Sequence, residues 1–189
     1  MNLGQMMLVL GAIVLLGVLI LNANATVYQA TDTMYTSEFG VTAISLATSL
    51  VEEAMGKMFD QIIAGANPAA VYDSTLFTAP GDLRAEGSER YRGGANDFND
   101  FDDFNNLFFV YKSDVPADST PTPGSTYEFT IHGLRGKYFA RTKVEYVRLP
   151  NLDVPYTIRP TWHKKLTVTV KAAGEKDSLV FPAVMSYWN

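Results

Sequence analysis

Apolar residues and glycine run without a break from Met6 to Leu21, and no Asp, Glu, Lys, Arg or His occurs before Asp32. As a helix, the run spans about 24 Å at roughly 1.5 Å per residue. Uncharged flanks at Leu3, Ala23 and Ala25 extend it towards the roughly 20 residues that a bilayer needs. Such a segment belongs in lipid, in a cleaved signal, or in the apolar core of an assembly. A secretory signal carries positive charge ahead of its apolar stretch. No Lys or Arg precedes Met6, although Ala23-Asn24-Ala25 has the small side chains of a cleavage site. A single-pass anchor fits the same pattern, and neither flank carries the Lys or Arg that sets orientation.

The pattern then changes without a proline, the first being Pro68. Ile44, Ala47, Thr48, Val51, Met55, Met58 and Ile62 recur every three or four positions, which predicts one apolar helix face. Glu52, Glu53, Lys57 and Asp60 lie mainly off it, with Glu53 and Lys57 spaced for an i,i+4 ion pair. Gly65-Ala66-Asn67-Pro68 is a helix stop. Residues 1–63 therefore read as one helix about 95 Å long, apolar over 1–30 and amphipathic over 31–63.

Residues 64–189 read as a head, with a loop region at 64–125 and a β-meander at 126–189. Gly81 to Gly94 is polar and glycine-rich, and Asp118 to Thr126 is rich in proline and hydroxyls; both predict loops. The second suits O-linked sugars or a plain turn. Tyr127–Ile131, Tyr138–Leu149 and Leu166–Val170 alternate as strands, and Leu179-Val180-Phe181 opens another that Pro182 marks as edge or bulged. Leu107–Tyr111 adds a fifth. The fold class is α+β: a long N-terminal helix whose C-terminal half packs on a small antiparallel sheet.

The first residues add a family. Met1-Asn2-Leu3-Gly4-Gln5-Met6-Met7-Leu8-Val9-Leu10 resembles the mature end of type IV pilins and pseudopilins. Members begin with a residue freed by a dedicated peptidase, carry Glu at the fifth position, and continue into an apolar run and a long helix. Gln5 stands where the family has Glu. It accepts a hydrogen bond from a neighbour's terminal amine but does not cancel its charge. The resemblance makes Met1 the first mature residue; were Met1 the initiator, cleavage after Gly4 would leave Gln5 first. It implies an extracellular, cell-surface filament of identical subunits, held in the inner membrane before assembly. It also implies a prepilin peptidase and a pilus assembly machinery as partners. Met1, Gln5, Met6, Leu8, Val9, Leu10, Ile13, Val14, Leu16, Leu19 and Ile20 are then the assembly residues. Family members often carry Pro at the position of Asn22 and melt there in the filament. Gly17, Asn22 and Asn24 weaken a helix, so local unwinding is expected between Gly17 and Asn24. A minor pseudopilin of a type II secretion-like system and a membrane-anchored binding module remain open.

Charge and chemistry refine this picture. The chain has no Cys, which excludes disulfides, thiolate catalysis and Cys-based metal sites. Residues 1–63 carry a net −4, 64–125 a net −6 and 126–189 a net +5, so the middle and last thirds are complementary. Asn96 to Asn106 interleaves Phe98, Phe101 and Phe104 with Asp97, Asp100, Asp102 and Asp103. The phenylalanines are expected to anchor one side of a turn while the carboxylates face out. Oxygen ligands at this density suit Ca²⁺, although neither the EF-hand spacing nor its glycine is present; turn closure by Asp and Asn is the plainer reading. No other cofactor is implied. Arg141, Lys143, Arg148, Lys164, Lys165 and Lys171, with Tyr138, Tyr146 and Trp162, compose a basic and aromatic set suited to DNA. The two histidines, His132 and His163, sit in turn-like contexts, and no catalytic constellation is found, so the chain is not read as an enzyme.

Overall fold

The computed structural model describes residues 2–65, 71–113 and 126–188. The chain divides into two units, Met1–Thr42 and Ala43–Asn189. Helix α1, Leu3–Met55, passes through both. In the first unit every described residue from Asn2 to Glu38 is exposed. In the single chain Gly17, Asn22 and Asn24, where local unwinding is expected, are all helical. Thr26, Thr31, Thr33, Thr36 and Thr42 each donate their hydroxyl to the carbonyl four residues back, at 2.9–3.0 Å. A stretch of modest propensity thus satisfies its polar side chains within the helix.

The helix is shorter than predicted and buries a different face. It ends at Met55; residues 56–60 leave the helix, and α2, Gln61–Gly65, follows. Past Gly56 the backbone pairs elsewhere: the Met58 amide donates to the Asn99 carbonyl and the Phe101 amide to that of Met58. The buried positions of α1 are Ala43, Ala47, Leu50 and Ala54. Of the predicted face, Ala47 is buried and Val51 and Ile62 are half-buried, while Ile44, Thr48, Met55 and Met58 are exposed. The three alanines leave little side chain between helix and sheet. The i,i+4 pair of Glu53 and Lys57 is replaced by longer-range partners. Glu53 accepts from the Tyr91 hydroxyl at 2.5 Å and pairs with Arg92, while Lys57 pairs with Asp97 at 3.2 Å.

The sheet has five strands: β1 (Phe108–Lys112), β2 (Thr126–Thr130), β3 (Tyr138–Val147), β4 (His163–Ala172) and β5 (Leu179–Ser186). All five predicted strands are present, but the sheet is mixed, not an antiparallel meander. Its order is β2-β1-β3-β4-β5, with β1 and β2 parallel. Residues 113–125 supply the dozen or so residues that a parallel crossover needs. Pro182 lies on β5, at the edge of the sheet, where its missing N–H costs no ladder bond. The inner face carries Phe109, Tyr111, Tyr138, Ala140, Val144, Tyr146, Leu166, Val168 and Val170, all buried. The predicted loop stop at Ala66-Asn67-Pro68 and the proline-rich stretch 118–125 lie outside the described residues, as does Met1.

Candidate functional site

Two features stand out. The first is the N-terminal part of α1, which is long and apolar enough to cross a membrane. Met6, Leu8, Val9, Leu10, Ile13, Val14, Leu16, Leu19 and Ile20 are between 51% and 75% exposed in the single chain. They are spread round the whole circumference rather than along one stripe, so a single partner helix leaves some of them in water. Gly11 opens a shallow groove bounded by Met7, Leu10, Val14, Leu15 and Val18. The Gln5 side-chain oxygen lies 3.5 Å from the Asn2 amide, a long contact of the kind that closes a helix N-terminus.

The second feature is a buried ionic cluster. Phe98, Phe101 and Phe104 are buried as predicted, and the 3-10 turn at Asp102–Phe104, which Phe101 caps, lines up the last two, three apart. The aspartates do not face out. Asp100, Asp102 and Asp103 are each 0% exposed. Only Asp97 stays near the surface, where it pairs with Lys57 and accepts the Arg92 amide at 2.8 Å. In the loop leading to it, a Cβ on Gly93 would lie 2.7 Å from the Asn96 carbonyl oxygen, so glycine is required there.

Lys164 on β4, also 0% exposed, inserts its ammonium into this cluster. Its Nζ donates to Asp102 Oδ1 at 2.5 Å, Asp60 Oδ2 at 2.7 Å and the Phe59 carbonyl at 2.8 Å. Asp60 also accepts from the Thr78 amide at 3.0 Å, and the Tyr146 hydroxyl donates to the Thr78 carbonyl at 2.8 Å. Glu86 and Glu89 approach from the preceding loop. Carboxylate oxygens of Glu86, Asp100 and Asp102 lie within 4.8 Å of one another, as do those of Glu86, Glu89 and Asp103. Six carboxylates thus belong to this cluster, of which Asp60 and Asp102 pair with Lys164. Burial, then the charges of Asp102 and Asp103, push Asp100 up to about 9. Burial, then the same two aspartates, push Glu86 up to about 7. Burial pushes Asp103 up to about 6 against two backbone hydrogen bonds that favour its charge. Asp102 is also raised by burial, although Lys164 opposes this.

No protein-family model, curated protein or solved structure matches this chain.

The cluster joins the acidic middle of the chain to the basic last third through one buried pair, Lys164 and Asp102. Of the four aspartates read as candidate calcium ligands, Asp100, Asp102 and Asp103 lie in the buried cluster, while Asp97 does not join them. Glu86, Glu89, Asp60 and Lys164 were not expected. For Lys164 a signal existed: it shares the alternating parity of Leu166, Val168 and Val170, which face inward. The glutamates lie in an irregular loop where no periodicity marks them. The basic and aromatic set does not form one surface. Arg141, Lys143, Arg148 and Lys171 are exposed, whereas Lys164, Lys165, Tyr138 and Tyr146 are buried. His163 opens β4 instead of lying in a turn, and its Nδ1 is 2.7 Å from Ser186 Oγ.

Proposed function

We propose that the chain is a structural subunit of a type IV pilus-like filament, polymerising through its N-terminal helix and anchored by it in the membrane before assembly. The observation that carries this reading is the run Met6–Leu21, apolar on every side, uncharged and unburied in the single chain. Burying such a surface is worth about 25 cal/mol per Å². A helix apolar all round is satisfied only by an all-round apolar surrounding, either lipid or several neighbouring helices. Neighbours related by one repeated head-to-tail operation form an open helical polymer. The internally bonded threonines from Thr26 to Thr42 support the same reading, because they can enter a helix-packed core without leaving a hydroxyl unpaired.

The test is Val14→Asp, examined by negative-stain microscopy of sheared surface material with mass spectrometry of the filaments. The expected result is loss of filaments with the protein still in the membrane fraction. Filaments at parental abundance overturn the proposal. A parent protein found only as a membrane-bound monomer favours the anchored binding module.

A further inference from the structure

We infer that Glu86, Asp100, Asp102 and Asp103, with Glu89 beside them, form a calcium-binding site that pins the glutamate loop to the turn at Asp102–Phe104. The argument starts from how each aspartate divides its two oxygens. Asp100 Oδ1 accepts the amides of Asp102 at 3.0 Å and Asp103 at 3.2 Å. Asp103 Oδ2 accepts those of Asn99 at 2.8 Å and Asp100 at 3.1 Å. Asp102 Oδ1 is held by Lys164. One oxygen of every aspartate is therefore fixed by the protein. The other oxygen, Asp100 Oδ2, Asp102 Oδ2 and Asp103 Oδ1, is buried without a hydrogen-bond partner, and so are Glu86 Oε2 and Asn99 Oδ1. Buried acceptors are almost always paired, and Glu86, which belongs to one set of carboxylates with Asp100 and Asp102 and to another with Glu89 and Asp103, brings these orphaned carboxylates to where a cation would serve them.

The alternative occupant is a proton. A shared proton satisfies one pair of carboxylates, Asp100 with Asp102 or Asp103 with Glu89, whereas a divalent ion serves several oxygens at once. Lys164 does not fill the role, since its ammonium is already shared by Asp60, Asp102 and the Phe59 carbonyl. The donor set selects the ion. It is all oxygen, which suits hard cations. Calcium binds at about 2.3–2.6 Å, so its ligand oxygens stand up to about 5 Å apart; magnesium at about 2.1 Å limits them to about 4.2 Å. Magnesium keeps several waters and demands octahedral geometry, whereas calcium accepts an irregular set of protein carboxylates, which is what these converging side chains offer. Asp100 and Asp103 hold each other's backbone through amides, and Lys164 orients Asp102, which is the outer-shell support that ligands need. Of these carboxylates, Glu89 lines a cavity of about 690 Å³, beside Arg84, Arg90, Phe98 and Asn105. Through Lys164 and Asp60, the ion then ties the chain after α1 to β4.

The test uses the full chain in detergent, stripped with a chelator and held near pH 8, where most of the carboxylates are ionised. Calcium titrated by calorimetry is expected to bind at one ion per chain. At a hundredfold excess over its Kd it should raise Tm by roughly 5 °C. Glu86→Gln and Glu89→Gln, both in the loop, should keep the parent's circular dichroism, and Glu86→Gln should weaken binding at least about tenfold. Asp97→Asn, outside the cluster, should respond as the parent does. No heat and no change in Tm up to about 10 mM calcium, a weak range even for extracellular sites, overturns the inference. So does an undiminished response in both glutamate variants, or a magnesium response equal to that of calcium.

Discussion

Lys164 shows what a single residue decides here. Its ammonium is the cation, among the described residues, in contact with the buried carboxylates of Asp60 and Asp102. Replacing it by Met removes that charge and leaves two anions in a dry site. Breaking a buried pair from one side costs about 3–5 kcal/mol. Lys164→Met is therefore expected to shift the urea midpoint strongly downward; a midpoint unchanged from the parent would show the pair to be dispensable. The same cluster sets a pH dependence. Asp100 at about 9, Glu86 at about 7 and Asp103 at about 6 all lie above the ordinary carboxylate value. Above about pH 4 the folded chain then holds more protons than the unfolded chain, so stability falls as pH rises. With a chelator present, Tm should drop steadily from pH 5 towards pH 9, the reverse of ordinary acid denaturation. Asp100→Asn should flatten the profile, and a parent Tm that rises over that interval would contradict the assignment.

At the scale of elements, the amphipathic half of α1 is the instructive case. Bulky residues at Ile44, Thr48, Val51 and Met55 outline a convincing face, yet the buried row is Ala43, Ala47, Leu50 and Ala54. Hydrophobic size favours the first row; a close approach to an aromatic-rich sheet favours the second. The two are separable by mutation. Ala47→Leu inserts extra methylenes into a packed contact and is expected to cost about 1–3 kcal/mol. Ile44→Ala trims a half-exposed side chain and should stay within about 0.5 kcal/mol. Equal costs by chemical denaturation would place the packed face elsewhere. Strand identity was readable from alternation, but strand neighbours were not. Alternation marks which side chains share a face, and it is blind to β1 taking β2 as a parallel neighbour and β3 as an antiparallel one.

For the whole molecule, the division at Thr42 has a direct consequence. Among the described residues the first buried side chain is Ala43, so removing the chain before Thr36 takes away no core residue. Such a truncation is expected to be soluble without detergent and monomeric by sedimentation, with a Tm close to that of the full chain. Filament formation should be lost with it. A truncation that aggregates, or that melts far below the parent, would show that the core extends further towards the N-terminus.

The uncharged run before Asp32 was legible without any structure, because length and apolarity alone specify a segment that water cannot solvate. The α+β class, the five strands and the edge position of Pro182 were legible too, since they follow from local periodicity and from a missing donor. What only the tertiary structure decided was the partner of each charge. Asp100, Asp102 and Asp103 look like solvated turn residues when read along the chain. They are buried where Lys164, on β4, reaches Asp102 and where Glu86, in a loop, meets Asp100 and Asp102, both groups coming from elsewhere in the chain. Sequence spacing carries local geometry; a burial that depends on distant groups converging is settled by the packing alone.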